Sequence, residues 1–325
     1  MKTNRPALPG MQTQPWKIVF FGTDAVSRVV LDALFEGPDR VVACVSQPDR
    51  PAGRGRNLHP TQVKIVAQTK GLPLRQPERM RDPELVQWLQ SFNAELFVVA
   101  AFGRILKPEL LQIPLHGCLN VHTSLLPKYR GAAPIQWAVA NGEQVSGATI
   151  MLMDQGMDTG PLLLQRELAI GPHETAQQLT VRLAALGAAL LPEAIKGLKA
   201  GTLEPVPQEE SLSSAAPILR KSDGLIDWSL NAALIASRLR GFTPWPGCYT
   251  YLDGKLLKVI EACAESDCDP AQPGTVLKSE ASGLLVACGR GCLRITRLQL
   301  EGRKPLECCT FLSGCHVDPG TELGD

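Results

Sequence analysis

The sequence has no long apolar run. The chain has 325 residues, and its longest uninterrupted apolar segments, such as Leu96–Phe102, are only as long as a strand. A membrane-spanning helix needs about 20 consecutive apolar residues, so we expect no membrane span. The first 15 residues lack the apolar central segment of a secretory signal. We therefore expect residues 1–15 to be a disordered extension.

A large net charge of either sign is also missing. Lys and Arg number 33 and Asp and Glu number 32, which leaves a formal charge of +1. The whole chain therefore gives no basic signal for nucleic acid, and any polyanionic partner must be bound by a local patch. Hydrophobic residues make up 44% of the chain, which is enough to form a buried core. The length suggests about two domains.

The ten cysteines include no C-x-x-C pair. A structural zinc site is therefore not indicated. Cys44 and Cys118 lie in apolar, strand-like runs and are expected to be small core residues, and the other eight lie between Cys248 and Cys315. We expect free thiols in a reducing cytoplasm and no bound metal.

The first half of the chain alternates apolar runs with helical patterns. The apolar runs are 17–23, 41–45 and 96–101, and the helical patterns are 25–35, 61–70 and 83–92. This alternation indicates an α/β, Rossmann-like domain with a mostly parallel twisted sheet. In such folds ligands bind beyond the carboxyl ends of the strands, where Gly22 and Gly103 are expected. The first strand lacks a following G-x-G-x-x-G, which disfavours a dinucleotide-dependent oxidoreductase.

The second half of the chain differs from the first in composition and in its predicted secondary structure. A helix is predicted from Thr175 to about Ala200, with a kink or an interruption at Pro192. Residues 201–220 are rich in Pro, Glu and Ser and are typical of a linker. Short β-like runs follow, with a hairpin turn at Asp253-Gly254. The predicted domains are thus 16–200, carrying the chemistry, and 221–325, a small C-terminal β-barrel that is OB-like.

The densest cluster of candidate catalytic side chains begins with Asn120 and His122. A buried strand is predicted at 117–121, and the two residues are two apart, so on a strand both point to the same face. A buried polar group without a partner costs about 2–7 kcal/mol. Asn120 and His122 are therefore either functional or hydrogen-bonded at the end of the strand. A carboxylate partner for His122 could come from Asp158 or Asp154 in the loop that follows the next strand. The pattern alone leaves that choice open, because either Asp could simply form a turn.

Several segments together resemble the folate-dependent formyltransferases. They are Asn120-x-His122, Ser124-Leu-Leu-Pro127, Arg130-Gly-Ala-Ala-Pro134, Asp158 placed 36 residues after His122, Gln47–Arg56, Asp154–Gly160, Ile226–Ser229 and Phe242–Pro246. The resemblance covers nearly the whole chain, from about Lys17 to Lys304, and is closer to the members that act on methionyl-tRNA. One departure is Thr123, where glycine is usual in the family.

The resemblance implies that the chain transfers the formyl group of 10-formyltetrahydrofolate to methionyl initiator tRNA, for translation initiation. It implies that Asn120, His122 and Asp158 are catalytic. An amide N–H of Asn120 and a protonated His122 can donate to the oxyanion that develops when an amine attacks the formyl carbon. Asp158 can orient His122 and hold a water that accepts the amine's proton. The implied partners are folate and tRNA, with a cytoplasmic monomer and no membrane.

The binding residues are also implied by the resemblance. Folate would be bound by two stretches: Phe102, Gly103, Arg104, Ile105 and Leu106, and then Ser124, Leu125, Leu126 and Pro127. On pattern alone the second stretch is an ordinary turn. The tRNA would be bound by Arg50, Arg54 and Arg56, although the composition of that loop also fits a solvated surface.

The C-terminal domain would be the second tRNA contact. Residues 206–325 hold 12 Lys and Arg against 15 Asp and Glu, a net charge of −3. Any RNA-binding face there must be local, and Arg290, Arg294 and Arg297 are candidates.

Three alternatives remain open. A purine-pathway formyltransferase would share the catalytic residues but normally lacks the C-terminal domain. A nucleotide-sugar formyltransferase has two domains, and the Asp49–Arg54 segment favours tRNA over it. A non-enzymatic RNA-binding module would have no need for Asn120, His122 and Asp158 together.

Overall fold

The computed structural model describes residues 14–52 and 57–324. The strands are β1 (Lys17–Gly22), β2 (Arg40–Val45), β3 (Arg50–Ala52), β4 (Asn57–His59), β5 (Leu74–Arg75), β6 (Leu96–Ala100), β7 (Cys118–His122), β8 (Val145–Leu152), β9 (Leu162–Ala169), β10 (Cys248–Leu252), β11 (Lys255–Glu265), β12 (Val276–Glu280), β13 (Gly283–Ala287), β14 (Cys292–Leu300) and β15 (Leu306–Glu307). The helices are α1 (Ala25–Phe35), α2 (Gln62–Thr69), α3 (Pro83–Gln90), α4 (Pro108–Leu111), α5 (Pro134–Ala140), α6 (Ala176–Ala200), α7 (Ala232–Phe242) and α8 (Cys308–Leu312).

The chain divides into two compact units. The first contains residues up to 122, 148–166 and 184–209, and the second contains 123–147, 167–183 and residues from 210 onward. The last crossing, between 209 and 210, falls inside the segment that the sequence predicts to be a linker. The chain also crosses within or next to β8, β9 and α6, so each unit is built from several stretches of sequence.

The first unit is organised around a seven-stranded sheet with the order β5-β2-β1-β6-β7-β8-β9. Strands β5, β2, β1, β6 and β7 pair in parallel, and β8 runs antiparallel to β7. Alternate residues of β1 enter opposite cores: Ile18 and Phe20 pack on one face, and Val19 and Phe21 pack on the other. Because both faces of the sheet are covered, the sequence of β1 is a continuous apolar run. The predicted mostly parallel sheet is confirmed.

Helix α6 begins as predicted but is not interrupted. The Thr175 amide donates to Gln178 Oε1 at 2.9 Å, and the Gln178 amide donates to Thr175 Oγ1 at 3.3 Å, which forms the expected capping box. The predicted interruption at Pro192 is wrong, because the helix continues to Ala200. Proline removes one helical hydrogen bond, but the neighbouring Leu191 and Ala194 are fully buried in the core, and this burial holds the turn together.

By length and composition alone, α6 could also cross a membrane. Half of its most apolar window is buried inside the protein. Charged residues such as Arg182, Glu193 and Lys196 interrupt its apolar sequence, which is why no uninterrupted apolar run marks it as a span.

The second unit contains an antiparallel sheet in which β10, β11, β14, β13 and β12 lie side by side and β15 pairs with β14. Asp253 and Gly254 connect β10 to β11 with φ angles of 49° and 71°, so the predicted hairpin is confirmed. Helix α7 contributes Ile235, Leu239 and Phe242 to the core beneath this sheet. The C-terminal part of the chain, predicted to be a small OB-like β-barrel, therefore contains an antiparallel β domain.

Candidate active site

Strand β7 carries two buried polar side chains. It lies between β6 and β8, and its residue Asn120 is opposite Val99 on one neighbour and Met151 on the other. His122 is the last residue of β7 and lies opposite Thr149. Asn120 is 9% exposed and His122 is 6% exposed. Both side chains therefore need hydrogen-bonding partners inside the protein.

Asp158 lies beside both side chains and is hydrogen-bonded to one of them. It lies in the loop between β8 and β9, and its backbone has a φ of 56°, which is uncommon for a residue other than glycine. Asn120 Nδ2 donates to Asp158 Oδ1 at 3.1 Å. Asp158 Oδ2 lies 3.6 Å from His122 Nδ1. The structure thus brings together the three side chains that the sequence predicts to be catalytic.

The competing carboxylate, Asp154, has a different environment. It is exposed. Its Oδ1 accepts hydrogen bonds from the Gly156 amide at 2.9 Å and from the Thr159 hydroxyl at 2.7 Å. These are the contacts of an aspartate that caps a turn. Geometry therefore favours Asp158 over Asp154 as the carboxylate that acts with His122.

One further residue contacts the Asp158 loop, and no pattern in the sequence predicts this contact. Gln208 Nε2 donates to the carbonyl oxygen of Asp158 at 2.9 Å and to that of Gly160 at 2.7 Å. Gln208 lies 50 residues away in the Pro- and Glu-rich segment that composition marks as a linker. Glutamine is also not a typical acid, base or nucleophile, so no catalytic motif would include it.

The first predicted folate stretch follows β6. Phe102 and Leu106 are 2% and 1% exposed and pack in the core, whereas Ile105 is 48% exposed. Gly103 has a φ of 71°, and a Cβ atom there would lie 2.5 Å from Gln47 Nε2. This stretch therefore offers its backbone and the Ile105 side chain to a ligand, while its two large apolar side chains anchor it.

Hydrogen bonds from two side chains also hold the backbone around residues 102–106. Gln47 Nε2 donates to the Phe102 carbonyl at 2.7 Å. Arg104 donates through one guanidinium nitrogen to the carbonyls of Pro77 and Glu78, at 2.9 Å each. The guanidinium of Arg104 thus has a structural role in holding the loop.

The second predicted folate stretch lies in the other unit. Ser124 is 1% exposed, and its hydroxyl donates to the Lys128 carbonyl at 2.7 Å. Leu126 is 3% exposed, whereas Leu125 and Pro127 are partly exposed. Ser124 therefore stabilises the turn, and Leu125 and Pro127 are the members of this stretch that are more available to a ligand.

The predicted tRNA loop is described in part. Arg50 is exposed in β3, which pairs with β4, and it donates to Gln47 Oε1 at 2.9 Å. Arg54 and Arg56 lie outside the described residues. At the base of the loop, Lys64 contacts Asp49 at 2.5 Å, and hydrogen bonds from Lys64 and Gln76 lower the pKa of the Asp49 carboxyl.

The three arginines of the C-terminal domain that are candidates for RNA binding differ in whether acidic side chains already contact them. Arg294 forms an ion pair with Glu265. Arg297 lies 3.1 Å from Glu261 and 3.7 Å from Glu307. These carboxylates offset the positive charge that the sequence pattern suggested. Arg290 is exposed, in the turn between β13 and β14.

The cysteines are free, as expected, and several are deeply buried. Burial raises the pKa of the Cys44, Cys118 and Cys248 thiols to about 12. Such thiols are poor nucleophiles, because the thiolate is the reactive form. Within residues 14–52 and 57–324, no group of three His, Cys, Asp or Glu residues is placed to bind a metal ion.

Comparison with known proteins identifies the family. Two family models match, formyl transferase over residues 16–195 and formyl transferase, C-terminal domain, over residues 218–316. The methionyl-tRNA formyltransferase of Geobacter metallireducens is 48% identical over 307 residues, covering 94% of this chain and 98% of the relative. That of Geobacter sulfurreducens is 47% identical over 309 residues, covering 95% and 97%.

A solved structure shares the fold at much lower identity. HypX from Aquifex aeolicus, in complex with tetrahydrofolic acid, is 17% identical with a TM-score of 0.60, and the match covers 94% of this chain and 49% of HypX. The identity and coverage of the two Geobacter relatives, together with the two family models, show that the chain belongs to the formyl transferase family and, within it, to the methionyl-tRNA formyltransferases.

Proposed function

We propose that this chain transfers the formyl group of 10-formyltetrahydrofolate to the α-amine of methionyl initiator tRNA. The observation that carries the proposal is the contact of Asp158 with both Asn120 and His122, in a chain nearly half identical to methionyl-tRNA formyltransferases. This product supplies the initiating residue for protein synthesis, so the chain acts in translation initiation.

The reaction makes one bond and breaks another. The amine nitrogen of the methionyl group bonds to the formyl carbon, and the bond between that carbon and N10 of the folate breaks. One proton leaves the amine, and N10 takes up a proton. Negative charge develops on the formyl oxygen between these events, so the barrier falls if N–H donors already point at that oxygen.

Asn120 and His122 are the proposed donors. An amide group has two N–H bonds, and Asn120 gives one of them to Asp158, so the second can serve the formyl oxygen. His122 in its protonated form can donate as well. Removing one such donor typically raises the barrier by about 3–4 kcal/mol. Their burial supports this role, because hydrogen bonds to a developing charge are stronger away from water.

Asp158 is proposed to act on both donors and on the proton. Its carboxylate lies 3.6 Å from His122 Nδ1, where it can orient the imidazole, and its bond with Asn120 fixes the orientation of the amide. A water held by this carboxylate would accept the amine's proton. No step needs a metal or a cysteine nucleophile.

The folate is proposed to bind along 102–106 and 124–127. Gly103 and Ile105 are the parts of the first stretch that fit this role, since its other apolar side chains are buried. The backbone N–H and C=O groups of such a loop suit the polar edge of a pterin ring, and an exposed apolar side chain suits its face.

The tRNA is proposed to contact Arg50, Arg54 and Arg56 and the C-terminal domain, 221–325. Arginine can bind a phosphate or a base edge through two N–H groups at once. The catalytic chemistry is proposed for 16–200, with 201–220 as the connection. The chain is further proposed to act as a cytoplasmic monomer away from the membrane, which light scattering and cell fractionation would test.

The experiment offers three acceptors to the purified protein with 10-formyltetrahydrofolate. They are methionyl initiator tRNA, glycinamide ribonucleotide and an amino-sugar nucleotide, and the formylated product is measured for each. Formylation of the tRNA alone is expected. Preference for either of the other acceptors would replace the proposed function with a purine-pathway or nucleotide-sugar activity.

A variant of the same experiment tests the arginine loop. Arg54→Ala is expected to reduce kcat/KM for methionyl-tRNA by about 5- to 150-fold, the value of one good bidentate contact. Folate affinity should stay unchanged, and Arg54→Lys should recover only part of the loss. Weakened folate binding would contradict the proposal, because it would assign the loop to the folate site and not to the tRNA site.

A further inference from the structure

The side-chain amide of Gln208 lies between two backbone carbonyls of the Asp158 loop. The distances from Nε2 are 2.9 Å to the Asp158 oxygen and 2.7 Å to the Gly160 oxygen. A primary amide has two N–H donors on one nitrogen. Glutamine can therefore satisfy both carbonyls with a single atom, which a carboxylate, having only acceptor oxygens when ionised, cannot do.

The position of Gln208 is itself fixed. Two residues earlier, Val206 pairs with Leu162, the first residue of β9, through two backbone hydrogen bonds of 2.8 Å. This pairing ties the segment 203–209 to the strand that follows the loop. The amide of Gln208 is thus supplied by a segment whose backbone is already anchored within the same unit.

The loop that Gln208 contacts is conformationally demanding. Asp158 adopts a φ of 56°, which costs a non-glycine residue about 1–2 kcal/mol. At Gly160 a Cβ atom would lie 1.9 Å from the Leu152 carbonyl oxygen, so the chain must pass very close to the end of β8. Such a conformation persists only where surrounding contacts determine it, and Gln208 provides two contacts at this point.

We propose that Gln208 is a positioning residue for the formyl transfer. It holds the backbone of Asp158 so that one carboxylate oxygen meets Asn120 and the other faces His122. Gln208 does not touch the reacting atoms and acts through Asp158. The inference rests on the proposed function, because its readout is formylation of methionyl-tRNA.

The test uses two replacements of Gln208 in the full-length chain. Gln208→Met keeps the length of the side chain and removes both donors, and Gln208→Glu keeps its shape and replaces the donors with acceptors. The matched control is Gln87→Glu, at an exposed position of α3. We expect kcat to fall about 10- to 100-fold in both Gln208 variants, since a displacement of about 1 Å can cost 100-fold. KM for both substrates should stay within about twofold, and the control should match the wild type.

A double-mutant cycle separates positioning from general stability. In an Asp158→Asn background, Gln208→Met should change kcat less than threefold, because the group through which it acts is already lost. An equal loss in both backgrounds, an unchanged kcat in the two single variants, or unfolding of both by circular dichroism would overturn the proposal. A wild-type chain that does not formylate methionyl-tRNA would instead refute the proposed function.

Discussion

Asp158 and Asp154 offer a controlled comparison, because they lie in one loop, four residues apart. We expect Asp158→Asn to lower kcat for formylation strongly and Asp154→Asn to leave it nearly unchanged. Asparagine matches aspartate in size, so either replacement preserves the packing of the loop. The difference between the two variants therefore reports the charge at each position.

The magnitude follows from the distance to His122. In the proposed donor role His122 is protonated, and its positive charge then lies 3.6 Å from the Asp158 carboxylate. Such a pair contributes about 1 kcal/mol in water and about 4–5 kcal/mol at an effective dielectric of about 20. The two side chains are 15% and 6% exposed, so the pair lies between these limits. A loss of about 1.4–4 kcal/mol of barrier stabilisation corresponds to a 10- to 1000-fold lower kcat.

Asp154 makes a contribution of another kind. Its Oδ1 accepts hydrogen bonds from the Gly156 amide and the Thr159 hydroxyl, and asparagine can preserve both through its own carbonyl oxygen. We therefore expect Asp154→Asn to retain kcat within about threefold. Its exposure also means that its charge is screened by water.

The assay is single-turnover formylation of methionyl-tRNA at saturating folate. A larger loss in Asp154→Asn than in Asp158→Asn would refute the assignment.

Three further predictions concern stability. Asp39 and Lys199 form an ion pair, and their side chains are only 7% and 5% exposed. Asp39→Asn should therefore lower the free energy of unfolding in urea by about 3–5 kcal/mol. An unchanged free energy of unfolding would show that the ion pair does not stabilise the fold. Gly187→Ala places a Cβ atom 2.6 Å from Val121 Cγ1. This close contact should lower the free energy of unfolding by about 1–3 kcal/mol and lower Tm. An unchanged Tm would mean that neighbouring side chains move to accept the methyl group. Because the pKa of Cys44 is raised from 9.0 to about 12, its unfolded form loses a proton first as pH rises. Stability should therefore fall between these values by up to about 1.4 kcal/mol per pH unit, and Cys44→Ala should flatten that fall.

Periodicity made the strand that carries the site predictable. The pattern placed a strand at 117–121, and β7 spans Cys118–His122. A one-residue error at its ends did not matter, because the period of two still put Asn120 and His122 on one face. The helix pattern predicted α1 at its observed bounds. Elements with strong local periodicity are set by which side must be buried, and that information lies in the sequence itself.

The choice of carboxylate could not be made in the same way. Asp154 and Asp158 share turn-forming neighbours, and both fit the composition of the loop. They differ in the structure, because Asp158 has a φ of 56° and a carboxylate that contacts β7, whereas Asp154 caps a turn. Such a torsion depends on contacts made across the fold, including those of Gln208. Pro192 failed as a helix breaker for a related reason, since tertiary packing outweighed its local preference.

Contacts to backbone carbonyls explain why the hydrogen-bonding roles of two glutamines were not predicted, although Gln47 begins one of the segments that carry the family resemblance. Gln208 binds the carbonyls of Asp158 and Gly160, in the loop after β8, and Gln47 binds that of Phe102, in the loop after β6. Their partners lie about 50 residues away, and a carbonyl oxygen is the same in every amino acid, so neither end leaves a pattern. Irregular loops at strand ends cannot satisfy their own carbonyls, and buried carbonyls need donors. A side-chain amide meets that need without adding charge beside the reacting groups, and a carboxylate or an ammonium would change the electrostatics on which Asn120 and His122 depend.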